Sequence, residues 1–119
     1  MAELDEILAL LVENVDGALA AAVAGMDGLI VEQYPPASPE LDLVAAELTS
    51  LLHLGRTALS PLLGGALEEL HLRCAGKTAY VRFLPEELYC LLILEREGNL
   101  GKARLQANLA AASLGQVIA

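Results

Sequence analysis

The chain has no tryptophan, one phenylalanine and three tyrosines, so aromatic residues are only 3% of its 119 positions. A core without large rings has to be filled by Leu, Ile, Val and Ala, and the 55% apolar content supplies them. Cations are also scarce: seven Lys and Arg stand against sixteen Asp and Glu, giving a net charge of −9. Nucleic-acid binding needs clustered cations, so this balance argues against it, and it disfavours an anionic membrane surface for the same reason. A basic patch on a partner would be attracted. No apolar run approaches the roughly 20 residues of a membrane span. The start, Met1 to Glu6, is acidic, unlike the basic head of a signal peptide. The expectation is one cytoplasmic domain over residues 1–119, large enough to hold a core without staples. So high an apolar content in a small chain also implies surface shared with a second subunit.

Chemistry-bearing groups are few. Cys74 and Cys90 are the only cysteines, both in strand-like sequence, and read as two buried reduced thiols rather than a disulfide or metal pair. His53 and His71 fall on different elements with no ligand-spaced neighbours, and read as core or interface histidines. No nucleophile elbow occurs, and neither cysteine has a recognisable base beside it. Gly98-Asn99-Leu100-Gly101-Lys102 superficially suggests a phosphate loop, but Arg96 stands where the first glycine belongs and Ala103 where Ser or Thr must hold magnesium. The chain is therefore not itself a GTPase. No catalytic, cofactor-binding or metal-ligating residues are expected, nor an enzyme. Lys102 and Arg104 sit in a first helical turn, against its dipole, and are expected to pair with Glu95 or Glu97. Glu68-Glu69 and Glu86-Glu87 read as solvated strand flanks, and Arg56 as a cation near a helix C-terminus.

What the sequence does contain is patterned apolar segments. Leu88 to Leu94 show no polar alternation, so this strand is covered on both faces and belongs mid-sheet. Gly98 ends it, and Asn99 caps a helix opening at Leu100, in which Leu105, Leu109, Ala112 and Val117 fall near one stripe. At the other end, Leu4, Ile7, Leu8, Leu11 and Val15 make an amphipathic helix that closes at Asp16-Gly17. Ala18–Ala24 and Leu29–Tyr34 read as strands joined by an Asp27-Gly28 turn. Ser38 caps, and Pro39 opens, a long helix with core stripe Leu41, Val44, Ala45, Leu48, Leu51, Leu52, Gly55 and Leu59, which Pro61 stops. Leu67–Cys74 alternates, Leu70, Leu72 and Cys74 against Glu69, His71 and Arg73, as a half-buried edge strand does. A Gly76-Lys77 turn leads into the strand Thr78–Leu84. Three helices and five mainly hairpin-linked strands predict an α+β fold, one antiparallel sheet covered on both faces.

This pattern resembles the roadblock/dynein light-chain family, and within it the small bacterial MglB-type proteins. The residues carrying the resemblance are the Asp27-Gly28-Leu29-Ile30-Val31 hairpin, Leu67-Glu68-Glu69-Leu70 at the start of the third strand, and Gly98-Asn99-Leu100-Gly101-Lys102-Ala103-Arg104. The resemblance implies strand order 2-1-5-4-3, the long helix on one face and the terminal helices on the other. It implies dimerisation through the third strand and the middle helix. It further implies action on a small Ras-like GTPase, as an activator or a dimeric platform, without an inserted arginine. If the third strand pairs antiparallel with its two-fold mate about His71, Glu69 falls opposite the partner's Arg73, a self-complementary arrangement worth roughly 0.2–1 kcal/mol per pair. The expected dimer residues are Leu67, Glu69, His71 and Arg73. The expected helix face for dimer and partner contacts is Glu47, Ser50, His53, Leu54 and Thr57. A structural adaptor with no effect on nucleotide turnover is the alternative.

Overall fold

The apolar run Leu88–Leu94 forms the middle strand of a five-stranded sheet because both of its faces are covered. In this computed structural model, which describes residues 2–118, the helices are α1 (Ala2–Asn14), α2 (Pro39–Leu54), α3 (Ser60–Leu63) and α4 (Leu100–Ile118), with a π-helical segment (Gly55–Leu59) between α2 and α3. The strands are β1 (Ala18–Gly25), β2 (Ile30–Tyr34), β3 (Glu69–Arg73), β4 (Lys77–Leu84) and β5 (Leu88–Glu95). They lie in the order β2-β1-β5-β4-β3, each neighbouring pair antiparallel.

Alternate residues of β5 serve two cores. Cys90, Leu92 and Leu94 meet Leu4, Leu8, Leu11 and Val15 of α1 and Ala103, Ala107 and Leu114 of α4. Tyr89 and Leu91 turn the other way, to Leu41, Ala45, Leu48 and Leu52 of α2. Each fully buried Leu contributes about 1.5–3 kcal/mol of hydrophobic free energy, so a one-residue slip of β5 is strongly penalised. The α+β layering and strand order are those expected. β1 is made of small side chains, which lets helices approach closely on both faces: Ala21 and Val23 join the α1/α4 core, Ala22 and Ala24 the α2 core.

Local chemistry sets the joints. Gly28 takes φ +87° in the β1–β2 turn, and the Asp27 carboxylate accepts from the Leu29 amide at 3.1 Å. The Ser38 hydroxyl accepts from the Leu41 amide at 3.3 Å, with Pro39 next, and Asn99 Oδ1 accepts from the Lys102 amide at 3.0 Å. Both are side-chain caps on otherwise orphaned helix donors.

Four expectations need correction. The middle helix does not stop before Pro61. It runs on through the π segment, Pro61 occupies the first turn of α3, where a missing N–H costs nothing, and the end comes at left-handed Gly64. In α4 the buried side is Ala103, Ala107 and Leu114, while Leu105 and Leu109 are exposed. Close packing against sheet and α1 selects small residues there, and the larger leucines lie on the far side. The β3–β4 turn is Ala75-Gly76, not Gly76-Lys77: Arg73 pairs with Thr78, and the Cys74 amide donates to the Lys77 carbonyl at 3.0 Å. Cys74 itself lies past the end of β3 and is exposed; only Cys90 is buried, and burial pushes its thiol up to about 12.

Candidate protein-interaction surface

The sheet has two edges, and they differ. β2 carries a bulge: the register slips between Val23 and Ala24, leaving Val31 without a partner on β1, and Pro35 and Pro36 follow at once. Bulges and prolines blunt an edge against pairing with another chain. β3 has neither. Its five residues hold one uninterrupted register with β4, from Glu69 opposite Arg82 to Arg73 opposite Thr78.

Beside β3, on the α2 side of the sheet, lie two apolar hollows. The first, a cleft of about 540 Å³, is lined by Leu51, Leu54, Leu59, Leu63, Leu67 and Leu70, among others. The second, about 550 Å³, includes Leu41, Val44, Leu72 and Cys74. Leu54, Leu59, Leu62 and Leu63 are exposed at 56%, 54%, 81% and 84%. Val44, Leu51 and Leu59, expected in the core stripe, are instead exposed; Leu41, Ala45, Leu48, Thr49 and Leu52 hold the core. So many large apolar side chains beside an unblunted edge make this the candidate interaction surface.

The expected helix face divides. Leu54 lines the cleft toward β3. His53 turns to the opposite flank, where Nε2 lies 2.8 Å from the Met26 carbonyl oxygen and donates to it, tying α2 to the β1–β2 turn. The Thr57 hydroxyl donates to the His53 carbonyl at 2.8 Å. Glu47 and Ser50 are exposed. Beneath this face the Thr49 hydroxyl donates to the Ala45 carbonyl at 2.8 Å, and the Tyr89 hydroxyl lies 3.1 Å from the same oxygen. This buried network fastens α2 to β5.

On β3, Leu67 precedes the strand and lines the cleft, and His71 and Arg73 are exposed. Neither histidine lies in the core. Glu69 is not a solvated flank. Its Oε2 accepts from Tyr80 at 2.8 Å and Arg82 at 3.3 Å, and its Oε1 lies 2.7 Å from Arg104. Partial burial opposes its ionisation, but hydrogen bonds from Tyr80 and Arg104 and the two guanidinium charges outweigh it, holding the carboxyl below its usual range. Burial, then the Glu69 carboxylate, pushes the Tyr80 phenol up to about 12. Arg104 thus pairs with Glu69, not with Glu95 or Glu97, because α4 packs over β4 and brings its guanidinium to the sheet edge. Glu87 is likewise paired, to Arg56 at 2.7 Å, with the Arg56 guanidinium 5.7 Å from the Phe83 ring centre.

Sequence reasoning missed Leu62 and Leu63, although an apolar pair between Pro61 and Gly64-Gly65 has no sheet to cover it. It also missed Arg82 and Arg104 as partners of Glu69, a tertiary relation without any local signal. Among the described residues no three His, Cys, Asp or Glu gather to hold a metal, and no helix is long and apolar enough to cross a membrane.

A Roadblock/LC7 domain model matches residues 4–94. Among solved structures, a Roadblock/LC7 domain from Streptomyces avermitilis superposes with TM-score 0.88 at 20% identity, covering 98% of each chain. The gliding protein MglB from Thermus thermophilus gives 0.86 at 22%, covering 98% of this chain and 88% of that one. Myxococcus xanthus MglB gives 0.87 at 11%, with the same coverage. No curated protein matches this chain. The edge-open sheet, its helical layers and the match over most of its length make this chain a member of the Roadblock/LC7 family.

Proposed function

We propose that this chain is a homodimeric, non-enzymatic regulator of a small Ras-like GTPase, a single roadblock domain acting by protein–protein contact in the cytoplasm. The observation that carries the reading is the unblunted β3 edge flanked by two apolar hollows. A second copy pairing antiparallel along β3 satisfies that edge and covers the adjoining leucines, with Leu67, Glu69, His71 and Arg73 at the join. The register about His71 sets Glu69 opposite the partner's Arg73, adding a fourth donor to a carboxylate that already meets three in its own chain. Glu47, Ser50, His53, Leu54 and Thr57 on the outer helix serve dimer and partner contacts. The Ras-like GTPase follows from the resemblance to MglB-type proteins, and the fold likeness to two MglB structures supports it.

The test is GTP hydrolysis by the candidate Ras-like GTPase of the same organism, with and without this protein. Faster hydrolysis supports an activator. Binding with unchanged turnover supports the alternative, a dimeric adaptor. No binding removes the GTPase from the account. His71→Asp tests the edge separately: two carboxylates at the axis should weaken the dimer, and an unchanged dimer by sedimentation excludes this register.

A further inference from the structure

The two most exposed large apolar side chains among the described residues are neighbours, Leu62 and Leu63 of α3. The stretch around them, Thr57 to Leu67, carries no charge in a chain of net charge −9. Leu63 shares the first hollow with Leu67 and Leu70, so α3 stands over the start of β3 on the α2 side of the sheet. Leu62 lines neither hollow. The second hollow opens on the same side, beside the other end of β3, where Leu41, Val44, Leu72 and Cys74 leave about 550 Å³ unfilled. A projecting apolar pair and an unfilled apolar hollow thus lie at opposite ends of one edge strand. The charged residues lining that hollow, Glu40 and Lys77, are of opposite sign.

We propose that Leu62 and Leu63 of each copy seat in the second hollow of the other, a contact that rests on the proposed β3-paired dimer. Pairing about His71 sets Leu70 beside the partner's Leu72 and Glu68 beside the partner's Cys74. With the two strands about 4.8 Å apart, the first hollow of one copy then abuts the second hollow of the other. α3, over the start of β3, comes to lie over the partner's hollow, and the two-fold axis repeats the contact at the far end. Charge selects the same occupant. Two copies at −9 repel each other, and an uncharged apolar pair lets them meet without opposing carboxylates. A basic partner drawn to the acidic surface finds no carboxylate along Thr57–Leu67.

Cys74 lines the hollow and is exposed, which supplies the test. Leu62→Cys and Leu63→Cys are oxidised separately with glutathione disulfide, which takes up the two electrons and two protons released by the thiols. At least one should give a covalent dimer through the partner's Cys74 on a non-reducing gel, and adding Cys74→Ser should abolish it. The wild-type chain should give none. About His71 the two copies of Cys74 lie about 20 Å apart along the strands, and a disulfide spans no more than roughly 7 Å between Cα atoms. Oxidation is run where sedimentation finds the reduced variant dimeric and thermal unfolding finds it folded. Independently, Leu62→Ala with Leu63→Ala should weaken the dimer about tenfold, while Leu105→Ala with Leu109→Ala, exposed on α4, leaves it unchanged. A dimer that links from neither position overturns the seat and leaves the β3 pairing standing. So does a link that forms only with the candidate GTPase added, or an alanine pair that dimerises like wild type. A wild-type chain that is monomeric at every concentration removes pairing and seat together.

Discussion

Gly17 packs directly on Gly98: a Cβ added to Gly17 would lie 2.6 Å from the Gly98 Cα. The turn leaving α1 is thus pressed against the turn leaving β5. The Glu95 amide donates to the Gly17 carbonyl at 2.7 Å, and the Asn99 amide to the Asp16 carbonyl at 3.2 Å. Gly17 also has φ +83°. Gly17→Ala should therefore destabilise by about 2–3 kcal/mol, combining left-handed strain with a contact that forces the two turns apart. Urea unfolding reads this directly. A loss under about 0.5 kcal/mol would mean the turns are not packed as described.

The Tyr89 hydroxyl is buried between Thr49, 3.0 Å away, and the Ala45 carbonyl. Tyr89→Phe should cost only about 1 kcal/mol, because Thr49 keeps the Ala45 carbonyl satisfied. Thr49→Val should cost a similar amount for the mirror-image reason. Chemical denaturation of both variants and the double variant checks the coupling; strict additivity would show that the two hydroxyls do not share one network.

Alkali should unfold the protein through Tyr80. Its folded pKa, pushed up by burial and by Glu69 to about 12, exceeds the unfolded value of about 10. The stability it contributes is fully present below about pH 10 and is lost as pH rises toward 12, because the unfolded chain ionises first. Thermal unfolding across this window should show a falling midpoint in wild type and a flatter profile in Tyr80→Phe. Identical profiles would place Tyr80 in water.

Leu63 is 84% exposed and touches the cleft, so Leu63→Glu should leave stability within about 0.5 kcal/mol while weakening association. Circular dichroism and sedimentation on the same sample separate the two effects. Loss of fold would mean that Leu63 belongs to the core.

The architecture was readable where apolar spacing and flanking turn signals agree. Leu88–Leu94, seven apolar residues bounded by turn signals, suits a strand covered on both sides better than a buried helix, and Leu4, Leu8, Leu11 and Val15 fall on one helical stripe. Reading failed where size misleads. Leu105 and Leu109 look like core residues, yet close helix–sheet packing buries Ala103 and Ala107 instead. On α2 the surplus of leucines exceeds what one side of the sheet can cover, and Leu51, Leu54 and Leu59 are left facing the cleft. Glu69 was singled out as a strand residue, but its ties to Tyr80, Arg82 and Arg104 join residues 11 to 35 positions apart, which no local pattern encodes.

Sedimentation equilibrium of the wild-type chain, from low to high concentration, bears most directly on the open β3 edge. The account predicts a species of twice the 12.5 kDa chain mass, dissociated by His71→Asp. A single 12.5 kDa species at every concentration would contradict it.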